Sequence, residues 1–563
     1  MAESTSPSNR TIASQIRRAC SDFDVKDKEK VKAIAKVLNS TAQELTEGEP
    51  VRSATGADLA LWPELRKLWR ELARSQLTFW DNDDSEAEEA SSNNHHLRTF
   101  CVALAKFTRN VVAGVPDNQS RAYENEPEIR RLLHYYTSWS AMEDPESIAT
   151  ARVLTQALSN IVTSNQTLVS ALWETYMNLP EDQVILIRLL GSPNDGILLT
   201  TLIFMLNCIH GSRKRTKMLA KTTIGARVCV TLLDDMLRLY EAEEETEGGK
   251  AFNVGYAIFT RLIEEGTVPD LYKKFNMPDE IITPHQTTLL KLVDSYLQSI
   301  QLDISTSPEG EILQTHVALG PFLAKRFFTL SNYAQKAMQR SLTGRPAESP
   351  SSQSSKPEDA NTEPLSELDV MLPKVCEALV LVTQCVTTIA LEAEEYKGRQ
   401  FEDGAVGNIS NMKEFFIDVR YSGQGLIENL IETLRLLDIF LPRIQHGKPV
   451  PARPNSPPHD PPSTTDGSGF SYVKRDLVRL LGVLAHESRA IQDRTREANG
   501  LPVVMNLCVI DERNPFLREH AIFTLHNLLK NNTESKTVVD AIKPIAELDD
   551  TGVLKDKFGA LRI

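Results

Sequence analysis

The chain has 563 residues, of which 41% are hydrophobic and 25% charged, and it carries a net charge of −14. That hydrophobic content excludes wholesale disorder, and an acidic chain without basic stripes speaks against nucleic acid as main ligand, because counterion release needs clustered basic surface. Anionic membranes are disfavoured for the same reason.

Seven cysteines, Cys20, Cys101, Cys208, Cys229, Cys376, Cys385 and Cys508, are odd in number, widely spread and mostly set in apolar helical stripes. They read as reduced core residues of an intracellular protein. The N-terminus lacks the apolar core of about 7–15 residues that marks a secretory signal. No uncharged apolar run reaches the roughly 18 residues of a membrane span. A cytoplasmic place follows, with the nucleus as the alternative. The chain is too long for one compact core, yet Leu-rich helical stripes run throughout and beta-rich segments are scarce. The expectation is an all-α protein: an armadillo/HEAT-like α-solenoid superhelix of stacked helical repeats, which escapes the size limit by being one-dimensional.

In chain order, residues 1–10 are rich in Ser, Thr and Asn and predict a disordered start. Helical patterns follow through residue 80, with Trp62, Leu65, Leu68 and Trp69 on one stripe. The acidic run Asp81 to Asn94 reads as a long loop. Repeats begin in earnest at Leu97, where Cys101, Leu104 and Ala105 share a face. Ala157-Leu158-Ser159-Asn160-Ile161 and Phe204-Met205-Leu206-Asn207-Cys208-Ile209 end successive long helices in the same way, with Asn160 and Asn207 47 residues apart. Val228 to Leu239 and Asn253 to Ile263 read as helices separated by an acidic loop, Glu241 to Glu247, with Gly248 and Gly249. Leu289 to Leu302 and Leu313 to Met338 continue the stack. The Ser/Pro-rich residues 341–364 cannot repay their ordering entropy and predict a flexible linker. Helices return over 365–445, and 446–470 is a second, Pro-rich linker. The organisation is thus 1–80 helical, 95–340 repeats, 365–445 middle repeats and 471–563 a C-terminal module, the linkers being insertions in one solenoid.

The C-terminal module states the repeat grammar most fully. Tyr472 to His486 carries Leu477, Leu481, Leu484 and Ala485 on one stripe. Gly500 offers the positive φ that ends a preceding short helix, and Pro502 starts the next. Asn514 and Pro515 repeat that start signal as N-cap and first-turn proline. Leu517, Ala521, Leu525 and Leu528 then share one face, widened by Ile522 and Leu529. Leu481 and Leu525 are 44 residues apart, within the roughly 40–47 of HEAT and armadillo units. Residues 471–563 hold 14 Lys or Arg against 13 Asp or Glu, so the acidity lies upstream.

Gly500-Leu501-Pro502, an apolar helix and then Ala521-x-x-x-Leu525-x-Asn527-Leu528 resemble the armadillo consensus. The fuller string from Cys508 through Asp511, Asn514-Pro515-Phe516-Leu517 to Glu519, preceded by Arg479-Leu-Leu-Gly482, resembles the C-terminal domain of the ataxin-10 family over about Phe470 to Lys543. The resemblance implies a non-enzymatic protein-interaction scaffold linked to cytokinesis, cytoplasmic and self-associating. Where the family pattern has an Arg before the Asn-Leu pair, this chain has His526. Within the module Arg518, His526 and Asn527 are candidate protein-binding residues.

Chemistry is sparse. No phosphate loop, nucleophile elbow, zincin or kinase signature occurs, and Gly423-Gln-Gly425 lacks the third glycine of a dinucleotide fingerprint. A copper-homeostasis role, suggested by a name some fungal family members carry, wants closely spaced Cys or Met, whereas Cys376 and Cys385 lie nine apart without a Met partner. No cofactor and no metal are expected. Arg213, Lys214, Arg215 and Lys217 permit a nuclear-import or phosphate-contact reading, against an exposed loop between repeats. His95 and His96 read as a solvated helix start. The recurring asparagines offer a second class of function: in armadillo proteins that hold extended peptides an Asn on each long helix bonds the peptide backbone. Asn160, Asn207 and Asn527 are candidates for such a ladder in a cargo adaptor, or for helix packing and capping within each repeat.

Overall fold

The chain is punctuated at one recurring point. Two residues beyond the end of a long helix the backbone turns left-handed: Gly114 after Ala87–Val112, Ser164 after Pro145–Val162, Gly211 after Asp195–Ile209 and Gly266 after Glu247–Glu264. Glu487 after Val473–Ala485 and Asn531 after Leu517–Leu529 do the same. A short helix starts at once, and Asn165, Ser212 and Asn532 accept from the backbone N–H groups of Leu168, Arg215 and Ser535 as its N-caps. This reversal converts a run of helices into stacked three-helix repeats. The protein is seen as a computed structural model that describes residues 11–77, 87–302, 309–343, 369–397, 411–445, 448–449, 470, 472–542, 546–548 and 554–556. The expected disordered start, most of both linkers and the acidic residues 81–86 lie outside the described residues.

The chain divides into two compact units after Lys274, within the expected 95–340 block. In the first unit each class of helix packs on its own kind. The long helices Lys28–Glu44, Ala87–Val112, Pro145–Val162, Asp195–Ile209 and Glu247–Glu264 stack in succession. Leu61–Leu77, Glu126–Tyr136, Ile185–Leu190 and Thr223–Leu239 form a second row, and the short helices Gln166–Tyr176, Arg213–Lys221 and Val268–Lys274 a third. The core between the rows is apolar, with Phe100, Phe107, Leu154, Trp173, Phe204 and Phe259 fully buried. This is an all-α, armadillo-like α-solenoid.

In the second unit Leu372–Lys397 is the central helix, packed on Pro284–Leu302, Glu309–Thr343 and Val473–Ala485. By length and composition Leu372–Glu395 suits a membrane span, but 72% of its most apolar stretch is buried inside the unit. Val473–Ala485 in turn carries Leu517–Leu529, with Arg489–Glu497, Gly500–Leu507 and Thr533–Ala541 completing the repeat. The C-terminal module is therefore bonded to what precedes the second linker. Lys474, wholly buried, donates to Leu441 O at 2.7 Å and meets Asp438 at 3.3 Å; burial pushes its pKa down and Asp438 opposes that shift. Arg494 holds both oxygens of Glu428 at 2.7 and 2.8 Å and donates to Ile417 O. Asp476, also buried, receives Arg475 and Gln384.

Several local expectations need correction. The acidic run does not stay a loop to Asn94, because helix begins at Ala87, where Ala-Glu-Glu-Ala is strong helix former. Gly248 and Gly249 belong to the first turn of Glu247–Glu264, capped by Thr246; a Cβ on Gly249 would strike the Glu243 and Glu244 backbone. Asn499, not Gly500, takes the left-handed turn at φ 56. Gly500 is instead needed for close approach, since its Cβ would lie 2.9 Å from Ile431 Cδ1. The last long helix starts at Leu517 after a left-handed Phe516, while Asn514 donates to Asp511 at 2.8 Å rather than capping. Gly423 turns a hairpin pairing Tyr421 with Gln424, which accounts for the glycine pair without a phosphate.

Candidate functional site

The asparagines of the long helices share one position, two residues before the helix end, and one task. Asn160 Nδ2 donates to Arg109 O at 3.1 Å, Asn207 Nδ2 to Thr163 Oγ1 at 3.4 Å and Asn527 Nδ2 to Gly482 O at 3.0 Å. Each bond reaches the C-terminal end of the preceding long helix, to a backbone carbonyl from Asn160 and Asn527 and to the hydroxyl of the C-cap Thr163 from Asn207. Asn110, overlooked in the sequence, does likewise to Ala42 O at 2.8 Å. Its signal was present, because Asn110-Val111-Val112 repeats the Asn-apolar-apolar ending of Asn160-Ile161-Val162. A glutamine on the neighbouring short helix finishes the job. Gln119 Nε2 serves Asn160 O and Thr163 O, and Gln492 Nε2 serves Asn527 O and Lys530 O.

The basic cluster after Asn207 is taken apart by the fold. It forms the helix Arg213–Lys221, and Arg215 is buried, donating to Cys208 O, His210 O, Ser170 and Gln166. Arg213 pairs with Glu265 and Lys214 with Glu174. A run whose second arginine is a core residue is neither an exposed loop nor a basic tag. His95 lies within the helix Ala87–Val112 and faces Glu146 at 3.4 Å. Six cysteines are buried and Cys508 half-buried; burial raises their thiol pKa values, to about 12 for Cys20, Cys229 and Cys376. Among the described residues no three His, Cys, Asp or Glu gather as a metal site.

The surface that stands out is the outer side of the terminal long helix. Leu517, Ala521, Thr524 and Leu528 are buried, so Ile522 does not widen the core stripe as expected. The cause is Gly482. With no side chain there, Thr524 closes onto Val473–Ala485 and its Oγ1 donates to Val478 O at 2.9 Å. That contact, with Asn527 bonded one turn on, fixes which face of the helix turns inward. At 100° per residue the opposite face carries Arg518, Glu519, Ile522, Phe523 and His526. All five are exposed; Ile522 is 48% and Phe523 56% exposed, and Phe516, at the helix start, is 68% exposed. Of the candidates in the module, the structure brings Arg518 and His526 onto this stripe and places Asn527 in the repeat interface.

An armadillo-like α-solenoid, with an apolar stripe exposed on the long helix Leu517–Leu529, is the class of protein these features define. Residues 473–560 match the family described as spinocerebellar ataxia type 10 protein domain. An ataxin-10 homolog of Kluyveromyces lactis is 35% identical over 82 residues, 15% of each chain. Human ataxin-10 is 23% identical over 181 residues, 31% of this chain and 36% of that one. The similarity to the ataxin-10 family is thus carried by this C-terminal domain, and the matched stretches span well under two thirds of those relatives. Among solved structures, SYS-1 aligns over 94% of each chain at 11% identity and a TM-score of 0.34.

Proposed function

We propose that this protein is a non-enzymatic interaction scaffold whose terminal helix docks a protein partner through Phe516, Ile522 and Phe523, with Arg518 and His526 at the rim. The observation that carries this reading is the pair of large apolar side chains on the outer face of the last long helix. Among the described residues no helix covers this side of Leu517–Leu529, where Ile522 and Phe523 are exposed. An aromatic with aliphatic neighbours, ringed by charged and polar groups, is the composition of an interface centre. A second copy of the chain is among the partners such a face fits, as the family resemblance implies. A place in cytokinesis and in the cytoplasm belongs to the same proposal and is supported by that resemblance alone.

Proximity labelling in dividing cells tests it, comparing the full chain with an Ile522→Asp, Phe523→Asp variant shown by circular dichroism to keep its helix content. The variant is expected to lose a defined set of neighbours, including cell-division proteins. Identical neighbourhoods would remove the face from the proposal, and neighbours unrelated to division would remove cytokinesis.

A further inference from the structure

A second site lies in the first unit, far in sequence from the stripe and independent of it. Between the helix Glu126–Tyr136 and the turn Glu181–Gln183 of the next repeat is a cavity of about 430 Å³ lined by Arg130, Arg131, His134, Asp182 and Gln183. Its floor is a bond between repeats, His134 Nε2 to Gln183 O at 2.9 Å. Burial lowers the His134 pKa, so at neutral pH the ring is uncharged and donates its one N–H to that carbonyl. Arg188 extends from the adjoining helix to His134 O at 3.5 Å.

The charges around this notch are only partly paired. Arg130 is anchored by Glu126 at 3.0 Å, and Glu126 also receives the Tyr176 hydroxyl at 2.8 Å. Only the Arg130 Nε proton is spent there, which leaves the other guanidinium donors fixed in position. Glu181, the acid nearest in sequence, is drawn away by Arg227 at 3.1 Å. Arg131 makes no ion pair among the described residues. Arg130 and Arg131 of the lining, with Arg188 beside it, therefore stand against Glu126 and Asp182, a local excess of cation on a chain of net charge −14. No large apolar side chain lines the cavity, so it does not suit an apolar ligand. Planar guanidinium forks suit a phosphate group.

We infer that this cleft binds a phosphate monoester carried on a side chain of a protein partner. The peptide source follows from the charges. A membrane or nucleic acid presents many anions to a chain that repels them overall, whereas one phosphoryl group entering the open cleft meets chiefly the local cations.

The test uses the full-length chain and a fluorescein-labelled Gly/Ser peptide with one phosphoserine, read by fluorescence anisotropy against the unphosphorylated peptide. Arg131→Glu with Arg188→Glu reverses two charges that hold no structural ion pair. Lys217→Glu, on another helix of the unit, controls for net charge. Saturable binding of the phosphopeptide alone is expected, weakened by about tenfold or more in the double variant and unchanged in the control. Equal binding by wild type and the double variant, or by both peptides, overturns the site. Arg131 protected from phenylglyoxal by inorganic phosphate but not by the phosphopeptide would mean a free-phosphate site and overturn the peptide source. An unchanged unfolding midpoint in the double variant shows that loss of binding is not loss of fold.

Discussion

Gly482→Ala is the substitution that most directly tests how the helix Leu517–Leu529 is held. A Cβ at Gly482 would collide with Thr524 Oγ1 and lie 3.3 Å from Thr524 Cα and Cβ. Thr524 is wholly buried and its backbone belongs to the facing helix, so relief requires the two helices to separate. Overpacking of this kind costs about 1–3 kcal/mol. Separation also stretches the bonds from Thr524 to Val478 O and from Asn527 to Gly482 O, each worth about 1 kcal/mol. Replacing a helical Gly by Ala returns about 1 kcal/mol. The net is a loss of about 2–4 kcal/mol, localised at Leu517–Leu529. Two units do not guarantee a single unfolding transition, so the suitable assay is amide hydrogen exchange of that helix in the full chain. Protection is expected to fall roughly 30- to 1000-fold. Thr524→Ala added to Gly482→Ala should restore part of it, a coupling of about 1 kcal/mol or more. Protection within threefold of wild type, or strictly additive effects, would refute the close-approach argument.

Two further outcomes follow from the packing. An isolated fragment 470–563 should lack a cooperative urea transition in far-UV circular dichroism whereas 275–563 shows one, because the fragment discards the partners of Lys474, Asp476, Arg494 and Gly500. Asp235, its pKa raised to about 7 by burial first and by the charges of Asp234 and Asp195, holds a proton in the folded state that the unfolded chain has released. Stability should therefore fall as pH rises from about 4 to 7 and then level off. Asp235→Asn should flatten that slope in thermal melts, and parallel slopes would refute the assignment.

Much of this architecture was legible in sequence because a solenoid repeats its instructions. The Asn-apolar-apolar ending and the periods of 47 and 44 residues depend on local helix chemistry, so Asn160, Asn207 and Asn527 marked true helix ends. What failed was reading which way a helix faces. Ile522 and Leu525 fit a 3.6-residue stripe as well as Thr524 and Leu528 do, and the missing side chain at Gly482 together with the Asn527 bond decides between them. Arg215 was misread for a similar reason. Four cations in five residues look like a surface tag until one of them is needed by Cys208 O and His210 O. The division after Lys274 leaves no mark in composition, since helices stand on both sides of it.

The recognisable family stretch and the folding unit that contains it are different objects. The match begins at Val473, the first residue of a long helix whose inner face is built by Leu372–Lys397 and Leu426–Phe440. Those earlier helices need only present apolar surface and a few polar partners such as Glu428 and Gln384, a demand many sequences meet. The terminal repeat has a tighter specification. It must keep Gly482 and Gly500 small for close approach, hold Phe516 left-handed and bury Asn527. Ile522 and Phe523 take no part in that packing, and the docking proposal rests on that exposure.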